Sequence, residues 1–268
     1  MKRVCIAMCV LAIVFCSCQK ENLNSKIGDA SITAFAPSET KTSIDGAHVT
    51  WNSGDRIQVW EKGTYNSGIY ELANGAGTGL GSFDFVSGTP VANGNFVGIY
   101  PTANDVYSTA IVYNLSLNQD GILENEIPMY GSFVDDGTGK YKIQFNHAFG
   151  IVRIILSGNA EKVEKCKAIK FSNFNAYKLA TKFKIKKTGD LEYTKSASTV
   201  TMDVAFSDNI KVVDGKKTID VLFEPMTNVD CGVYFKENIS GDSFASKYTT
   251  LTVEAGKIKV INVNFTND

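Results

Sequence analysis

Reactive side chains are few in this 268-residue chain, and their spacing suits no catalysis. Nucleophilic catalysis needs a nucleophile beside a base that a third group orients. The two histidines, His48 and His147, lie far apart in sequence and sit in no nucleophile or metal motif, and there is no G-x-S-x-G elbow. The cysteines, Cys5, Cys9, Cys16, Cys18, Cys166 and Cys231, form neither a C-x-x-C pair nor a Cys/His cluster with the spacing of a zinc or iron–sulfur site. In "GAGTGLGS", Gly75 to Ser82, the glycines fall at every second position, so the phosphate-loop spacing fails. The strand-like "FDFV" follows, with no helix N-terminus to hold an anion, and the segment reads as a hairpin loop. Asp135 and Asp136 in "VDDGTGK" lack the ligand spacing of a calcium loop and read as a turn. No catalytic residue, metal or cofactor is expected. With 27 Lys+Arg against 28 Asp+Glu the net charge is -1, which gives no electrostatic footprint for nucleic acid.

The motif with clear chemistry lies near the start. Lys2 and Arg3 precede an apolar stretch from Val4 to Phe15, and "FCSCQKEN" then turns polar at once. This is the pattern of an export signal, and the run is shorter than the ~20 apolar residues that span a bilayer. An ordinary signal peptidase needs two small residues before its cut, but Phe15 stands three before Cys18 and only Ser17 is small. The stretch looks like a relaxed lipobox, with residues 1–17 as the signal and Cys18 as the lipidated first residue of the mature chain. Cys16, preceded by Phe15, is the weaker candidate; a cleaved secretory signal with ordinary cysteines is the alternative. Acyl chains contribute ~0.8 kcal/mol per buried methylene, so several on one cysteine tether a protein to a membrane leaflet. Residues 18–26 then form a linker. Its "QKE" resembles the tag that sends some Gram-negative lipoproteins to the outer face of the outer membrane, and a plain solvated linker is the competing reading.

A tether must carry a body, and the body reads as strands. "YKIQF" alternates Tyr141, Ile143 and Phe145 with Lys142 and Gln144, as a half-buried strand does. "KFKIK" alternates Phe183 and Ile185 with lysines, and "KTGDLEY" supplies a Gly turn and a return strand. "TIDVLF" and "INVNF" continue the period, while "AEKVEKCK" at 160–167 alone has helical composition. The expectation is an all-β protein of β-sandwich architecture. "IVRIIL" at 151–156 is apolar on both faces, like a central strand, and "SGNAEK" then breaks the pattern. Two domains are expected, 27–157 and 158–268, with the second richer in lysine.

Other features have blander readings. Strand alternation puts the lysine stripe on solvated faces, although it could grip an acidic polysaccharide. Trp51, Trp60, Tyr65 and Tyr70 could stack on sugars, but their period-two placement favours the core. Cys166 and Cys231 share the second domain, and an exported compartment would permit a disulfide between them.

The segment "ITAFAPSETKTSIDGAHVTWNSGDRIQVW" resembles the opening of fimbrillin-family proteins, the Gram-negative lipoproteins that build type V pili. "GIYP", "NEIPMYGS", "IQFNHAFGIVRIIL" and the closing "TLTVEAGKIKVINVNF" resemble further landmarks of that family. The likeness is strongest over 31–157. It implies two transthyretin-like β-sandwich domains, a lipid-tethered precursor in the outer membrane, and other fimbrillin subunits as partners. It also implies that a trypsin-like protease clips the N-terminal strand, so that subunits assemble by strand donation and serve adhesion.

On that pattern Ile32, Ala34 and Ala36 form the displaced strand, and "INVNF", with Ile261, Val263 and Phe265, can act as donor. Such a donor would bury roughly 4 to 9 kcal/mol of apolar contact before ordering costs. Lys41, the first basic residue beyond "ASITAFAP", is the expected cut, where the family tends to carry arginine. Arg56 is the fallback. A surface glycan-binding lipoprotein of a polysaccharide-uptake system is the rival reading.

Overall fold

Period two governs what forms. The computed structural model describes residues 31–37, 50–64, 66–90, 95–103, 105–106, 110–114, 118–121, 127–133, 140–172, 174, 177–186, 188–197 and 201–266. Its first strands are β1 (Ile32–Phe35), β2 (Arg56–Glu61), β3 (Ser67–Asn74), β4 (Leu80–Gly88), β5 (Phe96–Tyr100), β6 (Asp105–Val106), β7 (Ala110–Asn114), β8 (Asn118–Gln119), β9 (Met129–Phe133) and β10 (Lys142–His147). Then come β11 (Gly150–Gly158), helix α1 (Ala160–Lys165), β12 (Ala168–Ser172), β13 (Ala180–Lys186), β14 (Leu191–Lys195) and β15 (Met202–Ala205). β16 (Lys217–Phe223), β17 (Met226–Lys236), β18 (Ser243–Val253) and β19 (Ile258–Phe265) complete the order. The chain is all-β, as expected, and "GAGTGLGS" is the turn of the β3–β4 hairpin.

Seven strands close on themselves in the order β1-β10-β9-β5-β2-β3-β4, with β1 bonded to both β10 and β4. Where an open sandwich would leave two edges, this unit is hydrogen-bonded shut. Its interior holds Trp51 edge-on to Phe83, Tyr100 and Phe145, with ring centroids 5.0, 5.4 and 5.7 Å away. Gly98 and Gly131 are opposite one another on β5 and β9, and a Cβ on Gly131 would meet the Gln144 carbonyl oxygen at 2.4 Å. The backbones approach there too closely for any side chain.

A second core lies between the sheets β16-β11-β19 and β18-β17-β12-β15-β8. β11 is a central strand, as its two apolar faces implied, but its partners β16 and β19 both come from the far half of the chain. β7 and β8 likewise pair with β13 and β15, so strands from both sides of residue 157 build the same sheets. A third cluster joins the outside of the barrel, through Trp60, Val97 and Ile99, to Phe183 and Ile185 of the sheet β14-β13-β7-β6. This explains why β5, "FVGIY", is buried at every position. The short α1 is capped at both ends. Asn159 Oδ1 accepts from the Lys162 amide at 2.8 Å, and the buried Lys217 ammonium donates to the carbonyls of Glu164 and Cys166 at 2.8 and 3.0 Å.

Candidate functional site

The strand that closes the barrel is the candidate. β1 is four residues long and is flanked by backbone on both sides. It runs parallel to β10, with Ala34 opposite Ile143, and antiparallel to β4, with Ala34 opposite Gly81. The Thr33 amide donates to the Tyr141 carbonyl at 3.0 Å, and the Ala36 amide to the Gly79 carbonyl at 2.7 Å. Alternation turns Ile32, Ala34 and Ala36 inward, and all three are buried beside Trp51, Phe83 and Phe145. The slot is narrow at Ala34: a Cβ on Gly81 would meet Leu72, Phe83 and Trp51 side chains at 2.7, 2.7 and 2.9 Å. Take β1 away and the facing edges of β10 and β4 lose their partners, leaving unpaired N–H and C=O groups above an apolar floor.

The expected donor residues, Ile261, Val263 and Phe265, are all buried in the second core of their own chain. β19 is laddered to β11 over eight residues, and the Phe265 ring stands 5.4 Å from Phe235 and 5.6 Å from Phe244. The disulfide expectation is also corrected, because Cys166 and Cys231 are buried free thiols. Ala168 pairs with Lys236, so Cys166 lies beyond that end of β17, whereas Cys231 is five residues back along the strand. At about 3.4 Å per residue that is roughly 17 Å, well past the roughly 7 Å that a disulfide tolerates between Cα atoms. Burial pushes the Cys166 thiol up to about 11 and the Cys231 thiol up to about 12.

Cys18, Lys41, His48, Tyr65, Asp135 and Asp136 lie outside the described residues. Arg56, the fallback cut, is bound within the β2–β3 hairpin, where its guanidinium donates to Glu71 at 2.7 Å. Trp51, Trp60 and Tyr70 are core residues, so they form no sugar platform. Lysines of the expected stripe are partly tied up in surface pairs, Lys184 and Lys186 with Glu192 at 3.0 and 2.6 Å. His147 is half-buried, and the partial loss of solvent around its ring lowers its pKa; its Nδ1 has no hydrogen-bond partner. Among the described residues no three His, Cys, Asp or Glu side chains converge as metal ligands would.

No protein-family model matches the chain, and no curated protein matches it in sequence. Solved structures do share its fold. A protein from Bacteroides uniformis, provisionally described as a cell adhesion protein, superposes with a TM-score of 0.53 at 16% identity, covering 89% of this chain and 94% of that one. A second, from Bacteroides ovatus and described in the same way, gives a TM-score of 0.50 at 16% identity, covering 89% and 91%.

Proposed function

We propose that this chain is a structural or accessory subunit of a type V fimbria serving adhesion. In this reading it is exported as a lipoprotein through Cys18 to the outer membrane, cut after Lys41 by a trypsin-like protease, and assembled with other fimbrillin subunits by strand donation. The observation that carries the reading is β1: a four-residue strand with a small inward face, Ile32, Ala34 and Ala36, that bridges β10 and β4 in a closed ring of hydrogen bonds. Before cleavage a resident strand competes at the millimolar effective concentration its tether provides. After cleavage it is held only by its own contacts, and an extended strand from a neighbouring subunit can take the slot. Two proteins of the same fold carry a provisional cell adhesion description, which fits this role. The burial of Ile261, Val263 and Phe265 narrows the donor question, since a subunit could give up β19 only by opening its own second core.

N-terminal sequencing of assembled fibres tests the reading. The polymerised chain is expected to begin at Thr42, and Lys41→Ala is expected to leave a folded, lipidated monomer without fibres. Fibres that retain Ile32 to Pro37 would overturn it.

A further inference from the structure

The sheet β18-β17-β12-β15-β8 presents an aromatic corner on the outer face of β17 and β18. Opposite residues in an antiparallel pair share a face. Along this pair Tyr234 faces Ser246, Gly232 faces Tyr248, and Asp230 faces Thr250. Tyr234 folds over Gly232: a Cβ there would meet the Tyr234 ring and hydroxyl at 2.7 to 3.0 Å. Tyr248 stands up beside it, 69% exposed, with the two rings at 80° and the hydroxyls 3.0 Å apart. Tyr234 therefore already covers the glycine, and Tyr248 adds little to the packing of the sheet.

Polar groups continue the corner along the strands. Thr250 Oγ1 donates to Asp230 Oδ1 at 2.5 Å, and Thr252 Oγ1 donates to Asn228 Oδ1 at 3.2 Å. These pairs follow the tyrosines in steps of about 7 Å, two residues of strand each. On the other side Lys170 of β12 stands directly across from Tyr234 and is itself opposite Asp203 of β15, so the cation bordering the corner has a carboxylate beside it. A fixed aromatic wall followed by pinned carboxylate, amide and hydroxyl groups matches a molecule with apolar C–H faces and a rim of hydroxyls.

We infer that the Tyr234–Tyr248 corner, with Asp230, Asn228 and Thr250, is a binding site for a neutral oligosaccharide. The ring of Tyr248 stacks on a sugar face and the strand-borne polar pairs bond its hydroxyls. Nothing in this site depends on strand donation at β1, so either can fail without the other. The mature chain, screened on an array of neutral glucose, mannose, galactose and N-acetylhexosamine oligomers, is expected to bind at least one, and binding is expected to be insensitive to salt. Tyr248→Ala should weaken it about tenfold, or about 1.4 kcal/mol, at an unchanged melting temperature. Tyr248→Phe should retain most of it, and Thr250→Val should weaken it as well. Absence of any binder on the array, binding confined to sulfated or uronate sugars, or full binding by Tyr248→Ala would overturn the inference.

Discussion

β1 and β19 are both strands at a seam, but they are held in opposite ways. β1 has a backbone ladder on each side, three residue pairs with β10 and four with β4, and inward side chains of only one isoleucine and two alanines. β19 has one ladder of eight pairs, all to β11, and turns an isoleucine, a valine and a phenylalanine into the core. The number of paired residues is nearly equal, so hydrogen bonding does not separate them. Apolar burial does: at about 1.5 to 3 kcal/mol per large side chain, β19 is anchored by roughly twice what Ile32 and two methyl groups supply. The difference teaches that β1 is the less costly of the two strands to remove from its place and β19 the more costly. If the proposed strand donation holds, the donor should come from a segment not already serving as core.

Substitutions can break this contrast. Phe265→Ala removes the ring packed on Phe235 and Phe244 and should destabilise the chain by about 3 to 5 kcal/mol in urea unfolding. A loss below that of Ile32→Val would invert the comparison. Gly81→Ala pushes a methyl into the wall of the slot and should cost about 1 to 3 kcal/mol, with the burden falling on Leu72 and Trp51. Ile32→Val trims the largest inward side chain of β1 and should cost only about 0.5 to 1.5 kcal/mol. The same unfolding series compares all three directly.

Much of this was legible from period two. The faces of β10, β13, β16 and β19, the helix at α1 and the core placement of Trp51, Trp60 and Tyr70 followed from alternation and composition. Alternation says which face a residue takes, but not which strand lies alongside. Closure of the barrel through β1, and the pairing of β11 with β16 and β19, are long-range matches that no local pattern encodes. The thiols mislead for the same reason, since lying in the same half of the sequence does not say where Cys166 sits relative to Cys231 on β17. Tyr248 was missed because "SKYTTLTV" reads as an ordinary polar-faced strand; only the glycine opposite and the tyrosine beside it distinguish the site.

The smallest effects come from protons. Both thiols have folded values raised above the ordinary 9.0, so their stability is full below that value and lost as pH rises towards about 11 to 12. Cys166→Ser should flatten that alkaline slope in part, and alkylation should reach neither thiol before unfolding. His147 has the opposite sign: its folded value lies below 6.5, so stability falls as pH drops under 6.5, because the unfolded chain takes up the proton first. His147→Gln should remove that acid slope in pH-dependent melting.

The proposed exchange of β1 is tested most directly by locking the strand in place. Thr33 and Ser82 face each other across β1 and β4, so Thr33→Cys with Ser82→Cys can staple the strand into the slot. The oxidised double variant, cut after Lys41, is expected to remain a folded monomer in electron microscopy, and reduction is expected to restore fibres. Fibres that form while the staple is intact would contradict an exchangeable β1.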